Sequence, residues 1–273
     1  MFQYFSTAGL RAAIAAVGLF ASSAGTAHAA PIMIDDFDGP APPSAGQTFF
    51  ITGSNGGGDP SPYLLKQSQA SGILGGQRDS LVNVIGTAQL GSALGVVGWD
   101  NSRNAGLFQI NTTPGPGSAV ILQYDGADAD TPTAPGTPAA LVNGQGLGNV
   151  DLTSGGTNNA LVLRFASCDA AGGLTINISA TTAGGGTSTY TGSVADHASA
   201  YDLLIPFSSF AHTGGGVLTS ISSITLVFNV TGVPNVDFAL NSIAAVPEPP
   251  AFALLAVGAC GLLVCGWRRR KQN

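Results

Sequence analysis

The chain has 273 residues, of which 39 are glycine, 15 are acidic and 9 basic, for a formal charge of −6. Between residues 30 and 245 the imbalance sharpens to 14 aspartates, no glutamate and only Lys66, Arg78, Arg103 and Arg164, a formal −10. That charge excludes a nucleic-acid binder, which needs a basic face. The missing Glu and Lys are the residues that build helix surfaces, and the Asp, Gly, Asn, Ser and Thr in their place favour strands and turns.

Arg11 precedes an apolar stretch over 12–21, and small residues then lead to Ala27-His28-Ala29. This is the pattern of a signal peptide, with Ala27 and Ala29 as the small residues that signal peptidase reads and cleavage expected after Ala29. Residues 1–29 are therefore expected to be removed on export, leaving 30–245 as one exported domain.

Within that domain period-2 alternation recurs. Leu161, Leu163 and Phe165 fall on one face, as do Leu174, Ile176 and Ile178, and then Ile224, Leu226, Phe228 and Val230. These are half-buried antiparallel strands. Further strands are predicted over 32–37, 48–52, 81–85, 107–110, 119–124, 188–192, 201–206 and 236–240. The glycine-rich stretches "SNGGGDP", "TTAGGGTS" and "HTGGGV" read as turns between them. Residues 125–146 read as one long loop. About eleven strands joined by turns predict an all-β fold, a two-sheet antiparallel sandwich of jelly-roll type. No fixed-length repeat is evident, which counts against a solenoid or a propeller.

After the domain come Val246, Pro247, Glu248, Pro249 and Pro250, then 17 uncharged residues over 251–267. As a helix these cover about 25 Å, close to a bilayer core. Trp267 suits the interface, and Arg268, Arg269, Arg270 and Lys271 form a stop-transfer cluster that places the C-terminus in the cytoplasm. The order of motif, apolar helix and arginine cluster over 246–273 resembles the PEP-CTERM sorting signal of Gram-negative bacteria. Tails of this kind are also described as an ice-binding-protein C-terminal domain. The resemblance implies that an exosortase recognises Val246, Pro247, Glu248 and Pro249, cuts at or near them, and releases an inner-membrane-anchored precursor to the cell surface or extracellular matrix. Trp267 to Lys271 would hold the precursor in the membrane until then. A second, more diffuse resemblance links "IMIDDFDG", "YDLLIPFSSF", "LTSISSITLVFNV" and "VDFALNSI" to galactose-binding-like jelly rolls of carbohydrate-binding modules.

No catalytic constellation stands out. Asp196 and His197 are neighbours, and adjacent residues on a strand face opposite ways. Two histidines and Cys168 in the domain are too few for a zinc site. The absence of glutamate removes the usual acid of a glycosidase, although 14 aspartates could supply a carboxylate pair. No cofactor is required by this reading. Calcium is the more reasonable ligand: Asp125, Asp128 and Asp130 share a loop, and the galactose-binding-like resemblance implies a structural calcium at Asp35, Asp36 and Asp237. The competing reading is that these aspartates are solvated turn residues. Tyr63, Trp99, Tyr124, Tyr190 and Tyr201 are available as a sugar-stacking platform or as core. Ice binding needs a regular threonine array, and "TSTYT" supplies a single short run. The sequence thus predicts a non-catalytic surface or matrix protein associated with exopolysaccharide. The alternative is a secreted polysaccharide hydrolase with an aspartate-based site.

Overall fold

The computed structural model describes residues 30–37, 48–52, 63–68, 72–85, 93–98, 106–112, 117–127, 146–170, 173–229 and 236–247. The chain divides into two units, residues 1–30 and 31–273, and apart from Ala30 the described residues belong to the second. Residues 1–29, read above as a signal peptide, and residues 248–273, with Glu248, Pro249 and the apolar and basic tail, lie outside the described residues. Among those described, no helix is long and apolar enough to cross a membrane.

Fourteen strands are described: β1 Ile32–Asp35, β2 Thr48–Thr52, β3 Tyr63–Ser68, β4 Gln77–Ile85, β5 Ala93–Gly98, β6 Phe108–Thr112 and β7 Gly117–Tyr124, followed by β8 Ala160–Asp169, β9 Leu174–Thr181, β10 Thr187–Val194, β11 Tyr201–Pro206, β12 Ala211–Thr213, β13 Ser223–Asn229 and β14 Asp237–Val246. They form two antiparallel sheets. The first runs β11-β8-β14-β6-β5-β2, with β1 also on β14, and the second runs β12-β10-β9-β13-β7-β4-β3. The expected all-β, two-sheet architecture is present.

Alternation in the sequence maps onto burial residue by residue. In β9 the pattern is strictly buried at Leu174, Ile176, Ile178 and Ala180 and half-exposed between them. In β13, Ile224, Leu226 and Phe228 are buried, and Thr225, Val227 and Asn229 are not. The inward residues of both sheets form one core. Its centre is aromatic: Phe228 of the second sheet meets Phe238 of the first at 5.0 Å between ring centroids, and Phe165 meets Phe238 edge-on at 6.1 Å. Each such ring, fully buried, contributes about 1.5–3 kcal/mol of apolar transfer.

Three strands were not expected: β3, β5 and β12. "YLLKQS" and "ALGVVG" lack alternation, and β12 has three residues beside a glycine turn. Strand β14 is also longer than predicted. It passes through Asn241 and Ser242 with register shifts at Leu240 and continues to Val246 opposite Ala160. Asp237–Leu240 pair with β6, whereas Ile243–Ala245 pair with β1, so β6 and β1 occupy the same edge of β14 in succession. Val246, assigned above to the sorting signal, is thus the last strand residue, and Asn159 N donates to its carbonyl at 3.1 Å. Pro247 follows, without an N–H to extend the ladder.

Candidate functional site

On β10 the side chains of Ser188, Tyr190 and Val194 face the core, which turns Thr187, Thr189, Thr191 and Ser193 outward. The register then lines up neighbours of the same kind. Thr187 lies between Thr213 and Thr181, Thr189 between Ala211 and Ser179, and Thr191 beside Asn177. Thr225 extends the middle row from Ser179, and beyond it Gln123 is buried. The outer face of β12, β10, β9 and β13 therefore carries mainly hydroxyls and amides, with Ala211 and Val227 among them. Two direct contacts order it: Thr191 Oγ1 donates to Asn177 Oδ1 at 2.8 Å, and Thr187 Oγ1 lies 2.7 Å from Thr213 Oγ1. Thr189, Thr191 and Ser193 are exposed. The T-x-T-x-T run thus gains threonine neighbours sideways, but Ala211, Ser179 and Asn177 interrupt a regular threonine array.

Beneath the opposite end of the sandwich lies a buried polar group. Arg78 of β4 donates through Nη1 to Asp35 Oδ2, and the side chains are 1% and 0% exposed. The Tyr124 hydroxyl donates to the same oxygen at 2.8 Å, and Phe37 N donates to Asp35 Oδ1 at 2.9 Å. Phe37 adopts a left-handed backbone, φ 54°, which costs a non-glycine residue on the order of 1 kcal/mol. Its ring lies over the Arg78 guanidinium at 4.9 Å and stacks on Phe108 at 5.6 Å. Burial raises the Asp35 carboxyl, offset in part by the Arg78 charge, and burial together with Asp35 pushes the Tyr124 phenol far up.

This geometry separates the expected calcium ligands. Asp35 is opposite Ile243 of β14, six residues from Asp237, a separation of roughly 20 Å along a strand. Asp237 is exposed at the far end of β14, and Asp36 N binds Gly72 O. The Asp36 carboxylate sits directly against the Gly72 Cα, at a site where any Cβ would collide with it. The three aspartates do not share a site, and among the described residues no cluster of three or more His, Cys, Asp or Glu could hold a metal. Asp125 is buried next to Gln123, whose Nε2 donates to it at 3.2 Å; Asp128 and Asp130 lie outside the described residues.

No family model matches the chain. No curated protein matches it either. Several solved structures do. A family 11 carbohydrate-binding module from Clostridium thermocellum, in complex with a beta-1,3-1,4-mixed-linked tetrasaccharide, is similar at 14% identity and a TM-score of 0.36, over 68% of this chain and 95% of that one. The family 11 module of the cellulosomal cellulase Lic26A-Cel5E of the same organism is similar at 12% identity and a TM-score of 0.34, over 80% of this chain and 95% of that one. PfGH50B is similar at 9% identity and a TM-score of 0.35, with 54% of this chain on 21% of that one.

The aromatic candidates are placed differently from a stacking platform. Tyr124 is buried in the Asp35 group. Tyr190 faces inward against Phe210 at 5.7 Å. Tyr201 stacks on Phe165 at 5.0 Å, with the His197 ring 4.1 Å away. The Trp99 position and the Tyr63 side chain lie outside the description. His197 is tied to Cys168 by reciprocal backbone hydrogen bonds, and His212 Nδ1 lies 2.7 Å from Ser188 Oγ. Cys168 is wholly buried, and burial pushes its thiol up to about 11.

Proposed function

We propose that the chain is an exported, non-catalytic surface or matrix protein that associates with exopolysaccharide. In this reading the sandwich is of the jelly-roll type, and an exosortase sorts the precursor through Val246, Pro247, Glu248 and Pro249 after signal peptidase has acted. The observation that carries the reading is the outer face of β9 and β10. Threonine and serine hydroxyls both donate and accept, and asparagine supplies an amide of each kind. A neutral, hydroxyl-rich polymer is the partner that such a face satisfies at many weak points without charge.

The sorting step draws support from the strand end. Because β14 is complete at Val246, cleavage within residues 247–249 leaves every sheet hydrogen bond in place. Glu248→Ala, or neutral residues at 268–270, should leave the precursor uncut in cells. Release of both variants with the wild-type C-terminus would remove exosortase from the account. For the association itself, the full chain is to be incubated with the source organism's exopolysaccharide, with pelleting and reducing ends followed together. Co-pelleting without new reducing ends is expected. Steady release of reducing ends, abolished by changing one or two aspartates, would establish the hydrolase instead.

A further inference from the structure

The loop entering β8, the turn after β11 and the approach to β13 enclose an open groove of about 560 Å³, within the size of small-molecule sites. Asp151, Thr153, Asn158, Phe207, Ser208 and Thr219 are among its lining residues. Backbone bonds fix its walls: Asn158 N donates to Thr153 O at 2.8 Å and Phe207 N to Asn159 O at 2.7 Å.

Asp151 is fully engaged by its own loop. Its Oδ1 accepts from Thr153 N at 2.8 Å and from Thr153 Oγ1 at 2.6 Å, and its Oδ2 accepts from Gly155 N at 2.8 Å. These bonds hold its carboxyl below the usual range. The groove has no basic lining residue, so it offers no uncommitted charge to a ligand. Asn158 is the opposite case. It is 1% exposed, yet neither its Nδ2 nor its Oδ1 has a hydrogen-bond partner. Buried amides are almost always paired, and one left unpaired costs free energy that a ligand can recover.

The geometry points to a binding site for a single neutral sugar ring in this groove. Turned to the groove by a change of rotamer, the buried Asn158 carboxamide presents a donor and an acceptor side by side, which matches two adjacent ring hydroxyls. The half-buried Phe207 ring, held edge-on to Phe210 at 6.3 Å, supplies an apolar wall for the C–H face of the sugar. The ligand class follows the exopolysaccharide reading, but the place does not: the groove is separate from the hydroxyl face of β9 and β10 and would take a chain end or one residue.

The test is saturation-transfer NMR on the full chain in a sugar-free detergent, with the methyl glycosides of glucose, galactose, mannose and N-acetylglucosamine as probes. At least one glycoside should bind in the millimolar range. Asn158→Ala, Phe207→Ala and the rim change Thr219→Lys should each weaken it by at least about tenfold. Asn158→Ala removes an unpaired amide, so its melting temperature should not fall. Thr189→Val with Thr191→Val should leave glycoside binding unchanged. Absence of binding for all four probes, or binding indifferent to Phe207→Ala and Thr219→Lys, would overturn the inference. Co-pelleting of polymer with no glycoside signal would sink the groove alone, whereas glycoside binding without co-pelleting would sink the polymer reading alone.

Discussion

Arg78 and Asp35 join the two sheets through the core, with Arg78 on β4 of the second sheet and Asp35 at the end of β1 of the first. They are 43 residues apart in sequence and both wholly buried. One of the four cations between residues 30 and 245 thus lies inside the core.

Removing one partner of a buried pair strands the other. Asp35→Asn or Arg78→Met alone should destabilise the chain by about 3–5 kcal/mol. The double change to Asp35→Leu and Arg78→Met should recover most of that, and Tyr124→Phe should cost only about 1 kcal/mol. Urea denaturation of the four variants checks this. Single variants as stable as wild type would show that the pair carries nothing.

The Asp151 loop should be acid-sensitive only at low pH. Its folded carboxyl titrates below the unfolded one, because Thr153 and Gly155 hydrogen bonds favour the charged form. The stabilisation is therefore present above the unfolded value and is lost as pH falls through the folded value. Thr153→Val removes the first of those bonds and should move the Asp151 titration, followed by carboxyl NMR, back towards the ordinary range.

Cys168 should be inert. With its thiol at about 11, almost none is thiolate at pH 8, and its side chain is sealed in the core. In a chain whose Cys260 and Cys265 are replaced by serine, a thiol reagent at pH 8 should label nothing until denaturant is added.

Strand β14 sets where the chain can be cut. A chain ending at Pro247 should unfold cooperatively, with the melting temperature of the longer chain. One ending at Leu240 loses the pairing of Ile243–Val246 with β8 and of Ile243–Ala245 with β1, and it should lose the cooperative transition. Thermal unfolding by circular dichroism distinguishes them.

The parts of the fold read from sequence were those where a local pattern decides. Leu174, Ile176 and Ile178 show their burial in their spacing alone. Asn241 and Ser242 broke that pattern, which hid the second half of β14, where a register shift re-aims the side chains. Arg78 was invisible for another reason. A lone cation in a strand reads as solvent-facing, and only the pairing of β1, β4 and β7 with their sheets brings Asp35 and Tyr124 to it. That same pairing separates Asp35 from Asp237: Asp35 lies opposite Ile243, at the other end of β14 from Asp237. The hydroxyl face was legible as composition and not as a surface, since Thr187, Thr189 and Thr191 gain meaning only beside Asn177, Ser179 and Thr181. Nothing in "DLTSGGTNNA" marked Asn158 as buried.

The central claim is that the outer face of β9 and β10 meets a hydroxyl-rich polymer. Its most direct measurement is co-pelleting of the full chain with exopolysaccharide, wild type against a variant carrying Asn177→Val, Thr189→Val and Thr191→Val. The valines are β-branched and strand-compatible, and they remove the hydrogen-bonding groups. The variant should melt within a few degrees of wild type and lose at least about tenfold in polymer affinity. A folded variant that pellets as wild type does would contradict the account.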